Sequence, residues 1–242
     1  MIVMEGAIAV KAVLEEDRRK VHRLIMDKNK KDRNFAYIRR LAEKKHVPVQ
    51  LMKREEMDKI ARGKTYGGIL LECEERRYDP AEDILNSDKP LFLAYTEGIE
   101  DPFNMGYIMR TFYAAGCDAL ITPDREWGDN EAAIEKSSAG AYEKLPVIML
   151  EDRVIELLKK RNVSVFVAGR KDAVSLYEAD FTGDVCIAVG GPKRGLSKEI
   201  ENISTQTLFI PYERDFKNAL NASSAASVFA YEVYRQRNAK VI

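Results

Sequence analysis

Apolar positions along this chain alternate between helical and strand-like spacing. From Gly6 to Leu14 they fall at helical intervals (Ile8, Val10, Val13, Leu14), and charge takes over at Glu15. Val21 to Met26 is a short strand candidate. Asp32 is placed to cap a helix with Phe35, Ile38, Leu41 and Ala42 on one face, while Arg33, Arg39, Arg40, Lys44 and Lys45 fall elsewhere on it. The pattern then predicts a strand over 48–52, a helix over 54–60 and a strand over 67–71. After a charged stretch (73–89) containing Pro80, the alternation resumes. Strands are predicted over 91–95, 119–122, 147–150 and 163–168. Helices are predicted from Pro102 to Gly116, from Asn130 to Tyr142 with a break at Ser137-Ser138-Ala139-Gly140, and over 151–160. Alternating strands and helices predict an α/β protein with parallel sheet.

The last third carries the strongest punctuation. The apolar run Cys186 to Val189 ends in Gly190-Gly191, and a helix follows. A second run, Leu208 to Ile210, ends at Pro211. The small-residue segment Ala219 to Ser224 then leads into a helix ending at Arg237. Two strands delivering loops to one sheet edge are the usual frame of a ligand site. Paired glycines permit close approach to the backbone, and Asn221 beside Ser223 and Ser224 supplies helix-capping groups.

Charge adds a division that the net value hides. The chain is formally neutral, yet residues 1–72 hold 18 Lys and Arg against 11 Asp and Glu, and the remainder holds 21 against 28. A basic front segment suits an anionic partner, nucleic acid first, although a solvated helical surface explains it equally well. This splits the chain into a front domain over residues 1–74, a linker over 75–89 and a second domain over 90–242. The three cysteines, Cys73, Cys117 and Cys186, are far apart within or beside apolar runs, as small buried hydrophobes of a reducing compartment are. No CxxC or Cys/His grouping points to a metal site. The amino-terminal apolar run is too short to span a membrane and lacks a basic leader, so a cytoplasmic protein is expected.

Several tempting residues have plain explanations. Gly63-Lys64-Thr65 precedes a strand rather than a helix and lacks the upstream glycine of a phosphate loop; Lys64 suits a basic turn against RNA or simply a turn. The glycines of GGPKRG, at 190, 191 and 195, do not match dinucleotide-binding spacing. His22 and His46 have no metal partner in sequence. Trp127 suits base stacking or packing equally, and Tyr231 and Tyr234 suit packing on the last helix.

The stretch Asp101-Pro-Phe-Asn-Met-Gly-Tyr-Ile-Met-Arg110-Thr-Phe-Tyr-Ala-Ala-Gly116 resembles the first motif of the SpoU family of RNA 2′-O-ribose methyltransferases, part of the knotted SPOUT superfamily. SSAGAYEKLPV (137–147), the glycine loop Gly190 to Leu196, and IPY…ALNASSA (210–225) ending in YEVYRQR are similar to its later motifs, in family order. The front segment resembles the family's substrate-binding domain, a ribosomal-protein-like RNA-binding fold. The resemblance implies a trefoil knot in the C-terminal domain, a homodimer with the site completed across its interface, and S-adenosylmethionine (SAM) as cofactor. Gly190, Gly191, Ile210 and Leu220 would hold it. Arg110, Asn104 and Asn221 would act in catalysis. Lys193, Arg194, Arg39, Arg40 and Lys64 would meet RNA, ribosomal in preference to transfer RNA.

Two positions depart from the family pattern. Pro192 stands where a glutamate is usual, and Ala219 where a serine is usual; the nearest hydroxyls are Ser223 and Ser224. These departures keep a second reading open, an RNA-binding relative with weak or no methyl transfer.

Overall fold

Two separate sheets organise the chain. The computed structural model describes residues 1–238. They divide into one unit of residues 1–77 with 126–144, and another of residues 78–125 with the chain from Leu145 onward.

The first unit holds β1 (Ile2–Glu5), α1 (Ala7–Glu16), β2 (Val21–Asp27), α2 (Arg33–Lys44), β3 (Val49–Met52), α3 (Arg54–Met57) and β4 (Ile69–Cys73). Its sheet order is β1-β4-β2-β3; β4 runs antiparallel to both β1 and β2, and β2 is parallel to β3. Asp32 caps α2 as its position predicts, its carboxylate accepting from the Phe35 N–H at 3.0 Å. Phe35, Ile38 and Ala42 then enter a core with Met4, Val10, Leu14, Leu24 and Leu71. Ile8, expected on the apolar face of α1, is instead exposed; Ala9, Val10, Val13 and Leu14 carry the burial.

The segment 126–144, which the sequence reading placed in the second domain, packs with this first unit. It forms α6 (Glu131–Ser138) and α7 (Ala141–Lys144), separated by Ala139 and Gly140, both at positive φ as the small-residue break predicts. Its place there has an electrostatic reason. The Arg19 side chain is fully buried, and a buried guanidinium must be paired. It donates to Glu143 at 2.6 Å and also to Glu131.

The second unit begins with α4 (Ala81–Leu85). The stretch expected as a linker therefore contains a helix, and Ala81 and Leu85 pack into the second core. Then follow β5 (Phe92–Glu97), α5 (Pro102–Ala114), β6 (Ala119–Thr122), β7 (Val147–Met149), α8 (Asp152–Lys160), β8 (Ser164–Ala168), β9 (Val174–Ser175), β10 (Val185–Gly190), α9 (Lys198–Asn202), β11 (Gln206–Phe209) and α10 (Ala222–Arg237). The seven strands lie in the order β7-β6-β5-β10-β8-β11-β9, every pair parallel. Near-continuous burial along β5 and β10 is what a sheet covered on both faces requires. Leu93, Tyr95, Ile121, Cys186 and Ala188 anchor one core. Helix α10 packs against α5 and β10.

All three cysteines are free and buried. Burial holds the thiols of Cys73 and Cys186 up at about 12, and that of Cys117 well above its usual range, so each behaves as a protonated apolar side chain. Among the described residues no helix is long and apolar enough to cross a membrane.

Candidate functional site

Because β5, β10, β8 and β11 are parallel neighbours, their carboxyl ends share one edge. The four loops leaving that edge enclose a cavity of about 910 Å³. Gly98 to Asp101 come from the loop after β5, Ala168 to Asp172 from the end of β8, Gly190 to Lys193 from the end of β10, and Ile210 to Asn221 from the loop after β11. Val167, Val189, Leu208 and Ala225 give it apolar walls, and Glu100, Asp101, Asn104, Asp172, Lys193 and Glu201 make a polar rim. That is the size and character of a site for a small organic ligand.

The paired glycines do more than leave room for a ligand. The Gly191 N–H donates to the Glu97 carbonyl at 2.7 Å. A Cβ on Gly191 would lie 1.8 Å from the Gly98 carbonyl oxygen, and one on Gly190 would lie 2.7 Å from the Gly195 backbone. Glycine is required at both positions because loop backbones touch there. The Ser197 N–H donates to Glu97 Oε2 at 2.8 Å, tying the far end of the same loop to β5. The Tyr95 hydroxyl donates to that oxygen at 3.0 Å, and burial, then the Glu97 charge, raises its pKa.

Helix α5 starts where Asp101 accepts from the Asn104 N–H at 2.7 Å, with Pro102 at the first helical position. Helix α10 starts where Asn221 accepts from the Ser224 N–H at 2.7 Å. These two starts bring Asn104 and Asn221 to the cavity, and Ser223 stands between them, its hydroxyl 3.2 Å from Asn221 Oδ1 and 3.5 Å from Asn104 Oδ1. The Thr111 hydroxyl lies 3.3 Å from that of Ser227, so the two helices also meet further along.

The residues predicted for the site fall into three groups. Asn104, Asn221, Gly190, Gly191, Ile210, Leu220 and Lys193 all line the cavity. Arg194 lies in the glycine loop but does not line it, and Arg110 is exposed on α5, also outside the lining. Arg39, Arg40 and Lys64 are exposed on the first unit, where Arg39 pairs with Glu43 at 2.8 Å and Arg40 donates to the Ala36 carbonyl at 3.2 Å. Lys193 is not a free cation: it pairs with Glu100 at 2.6 Å and holds that carboxyl below the usual range. The sequence reading missed Glu100 and Arg170 on the cavity wall. Glu100, beside the first motif, was within reach of it; for Arg170 the only signal was its position after the end of a predicted strand.

The family model of the SpoU rRNA Methylase family matches residues 92–231, and that for RNA 2'-O ribose methyltransferase substrate binding matches residues 3–79. The chain belongs to the SpoU rRNA methylase family. Among its relatives is the 23S rRNA (guanosine-2′-O-)-methyltransferase RlmB of Pectobacterium atrosepticum, 29% identical over 97% of this chain and 98% of that protein. Another is the putative TrmH family tRNA/rRNA methyltransferase YacO of Bacillus subtilis, 28% identical over 96% of this chain and 95% of that one. The fold is similar to that of the SpoU methyltransferase AviRb from Streptomyces viridochromogenes, with a TM-score of 0.81 and 19% identity over 99% of this chain and 90% of that one. It is also similar to that of the AdoMet-bound rRNA methyltransferase from Sinorhizobium meliloti, with a TM-score of 0.80 and 18% identity over 96% and 86% of the two chains. Against the family frame, Pro192 and Ala219 both line the cavity, and the Ser223 hydroxyl, in the first turn of α10, reaches both asparagines.

Proposed function

We propose that this SAM-dependent RNA 2′-O-methyltransferase acts on ribosomal RNA, and that the four-loop cavity is where it holds the methyl donor. The observation that carries the reading is that Asn104 and Asn221, with the Ser223 hydroxyl between them, both line a ligand-sized cavity on the carboxyl edge of the sheet. The apolar walls suit a nucleoside, and the loop N–H and carbonyl groups offer polar contacts without bulk. SAM supplies an electrophilic methyl group with a neutral leaving group. The chain's own task is to orient the ribose hydroxyl in line and to stabilise the charge it develops. Asn104 and Asn221 do the orienting, with Ser223 fixing their amides. Leu220 and Ile210 border the donor.

A guanidinium is always protonated in proteins, so Arg110 serves as a clamp on phosphate and as a stabiliser of the forming alkoxide, not as a base. Its position supports a homodimer. Arg110 is exposed on α5, and the same helix exposes Phe103, Tyr107 and Tyr113, while the adjoining α10 exposes Tyr231 and Tyr234. Such an aromatic surface suits an interface with a second copy, which would carry Arg110 to the partner's cavity. The trefoil knot belongs to the same reading, since α10 returns against α5 and β10 after the β11 loop. The basic first unit, with Arg39, Arg40 and Lys64, grips RNA phosphate, and Lys193 and Arg194 do so at the cavity mouth. A front RNA-binding domain distinct from the methyltransferase domain and a cytoplasmic location are part of this proposal. The relatives' names favour rRNA, and the non-catalytic alternative has no observation in its favour beyond Pro192 and Ala219.

Calorimetric titration of SAM into the purified protein, followed by methyl transfer to ribosomal and transfer RNA fractions, tests the reading. Saturable SAM binding and label on ribosomal RNA are expected. A folded protein that binds no SAM overturns it.

A further inference from the structure

The loop after β11 contributes Ile210, Tyr212, Ala219, Leu220 and Asn221 to the cavity, yet Ile210 to Asn221 contains neither helix nor strand. A segment this long without regular structure must be held in place by side chains if it is to present Asn221 reproducibly. One side chain from outside the loop meets it repeatedly. Arg170 follows the end of β8, where its neighbour Gly169 donates its N–H to the Leu208 carbonyl of β11 at 2.9 Å. The Arg170 guanidinium donates from Nη1 to the Lys217 carbonyl at 2.6 Å and from Nη2 to the Phe216 carbonyl at 3.1 Å. Its flat face lies over Tyr212, 4.8 Å from the ring centroid. Tyr212 extends the hold: its ring lies 6.1 Å from that of Phe216, and its hydroxyl accepts the Leu220 N–H at 3.0 Å. One planar cation, with one phenol beneath it, thus touches the loop at residues 212, 216, 217 and 220.

We propose that Arg170 is a positioning residue whose fork and face pin the 211–221 loop against the cavity, so that it sets the affinity for the methyl donor and the placement of Asn221. The assignment rests on the donor occupying this cavity. The chemistry is specific to arginine. Two carbonyls one residue apart match the two nitrogens of a guanidinium, and the same group stacks on an aromatic ring; a lysine ammonium supplies neither the fork nor the flat face. Because the clamp grips mainly backbone carbonyls, it constrains the loop's path whatever side chains the loop carries.

The test uses the full-length protein with Arg170→Ala, Arg170→Lys and Tyr212→Phe. The first readout is tryptic cleavage after Arg214 and Lys217, within the loop, without ligand. The second is calorimetric affinity for S-adenosylhomocysteine, and the third is the split between KM for SAM and kcat. Arg170→Ala is expected to speed loop cleavage about tenfold and to weaken the ligand about tenfold. It should raise KM for SAM by a similar factor and leave kcat at saturating SAM within about threefold, because bound donor re-forms the loop. Arg170→Lys is expected not to rescue. Tyr212→Phe, which loses only the Leu220 contact, should give an intermediate effect in the same direction. Unchanged cleavage in Arg170→Ala overturns the clamp, as does full rescue by lysine. If the wild-type protein binds no S-adenosylhomocysteine, the donor reading of the cavity fails, and the cleavage contrast still decides the clamp.

Discussion

The Ser223 hydroxyl on α10 reaches Asn104 on α5, with 3.5 Å between Oγ and Oδ1, although 119 positions separate the two residues in sequence. It lies closer still to Asn221, at 3.2 Å. A hydroxyl has one proton to donate, so the two amide oxygens share it. Ser223→Ala should lower kcat about fivefold, the scale of one lost hydrogen bond of about 1 kcal/mol, and leave SAM affinity within about twofold. Steady-state kinetics with calorimetry on the same variant checks this; an unchanged kcat removes Ser223 from the site.

The backbone contact between Gly191 and Gly98 makes a prediction about stability. A methyl group on Gly191 meets the backbone carbonyl of Gly98, the first residue past β5, so Gly191→Ala should cost about 3 kcal/mol or more and lower Tm by several degrees. Gly183 has nothing within 4 Å of where a Cβ would stand, and Gly183→Ala should be close to neutral. Thermal unfolding of the pair separates glycine required by packing from glycine that merely occurs in a loop. Equal Tm values for the two variants would contradict the close approach.

Arg110→Ala should reduce methyl transfer at least a hundredfold while SAM binds nearly as before, if Arg110 acts on RNA and the developing alkoxide. The dimer reading adds a sharper expectation. Protomers carrying Arg110→Ala and protomers carrying Asn221→Ala are each inactive alone, yet mixed dimers should regain activity, because one of their two sites is then intact. Mixed dimers as inactive as the parents would place both residues in one subunit's site.

Glu135 sits on α6 in the first unit, fully buried near Glu143, Arg19 and Arg76. Burial, with the Glu143 charge next in importance, raises its carboxyl pKa well above the usual range. A raised carboxyl pKa means that the folded chain holds a proton which the unfolded chain releases. The contribution is complete below the unfolded carboxyl pKa of about 4.3 and is lost as pH climbs toward the folded value, at up to about 1.4 kcal/mol per pH unit. Glu135→Gln removes this slope. Scanning calorimetry between pH 5 and 8 should therefore find the variant gaining on the wild type as pH rises, and a constant difference across that range would sink the argument.

The strands and caps of this chain were legible because each has a local cause. Asp32, Asp101 with Pro102, and Asn221 announce helix starts by chemistry confined to one turn, and all three cap their helices. The glycine turn after β10 followed from the same kind of signal, whereas Asn104 was marked by the family resemblance. What was hidden depends on distant partners. Nothing near Glu131 or Glu143 says that Arg19, more than a hundred residues earlier, will draw that segment into the first unit. Strand β1 was masked by its merging with the apolar start of α1, and α4 by the charges around Pro80. Arg170 looks like any loop arginine until Tyr212 and the Phe216 and Lys217 carbonyls are brought beside it.

The strand order also sets a schedule for the chain's birth. Strand β5 lies inside the sheet, between β6 and β10, and β10 arrives 93 residues later, with Val185 beside Phe92. As the polypeptide leaves the ribosome, β7, β6 and β5 are available to pair while β8 waits apart, and only β10 closes the gap between them. Until then the buried face of β5 keeps an unpaired edge, at the stage when nascent chains are most prone to stick to one another. The ligand pocket, built from loops on both sides of that gap, is among the last features to exist, so a translation product cut short before β10 lacks it altogether.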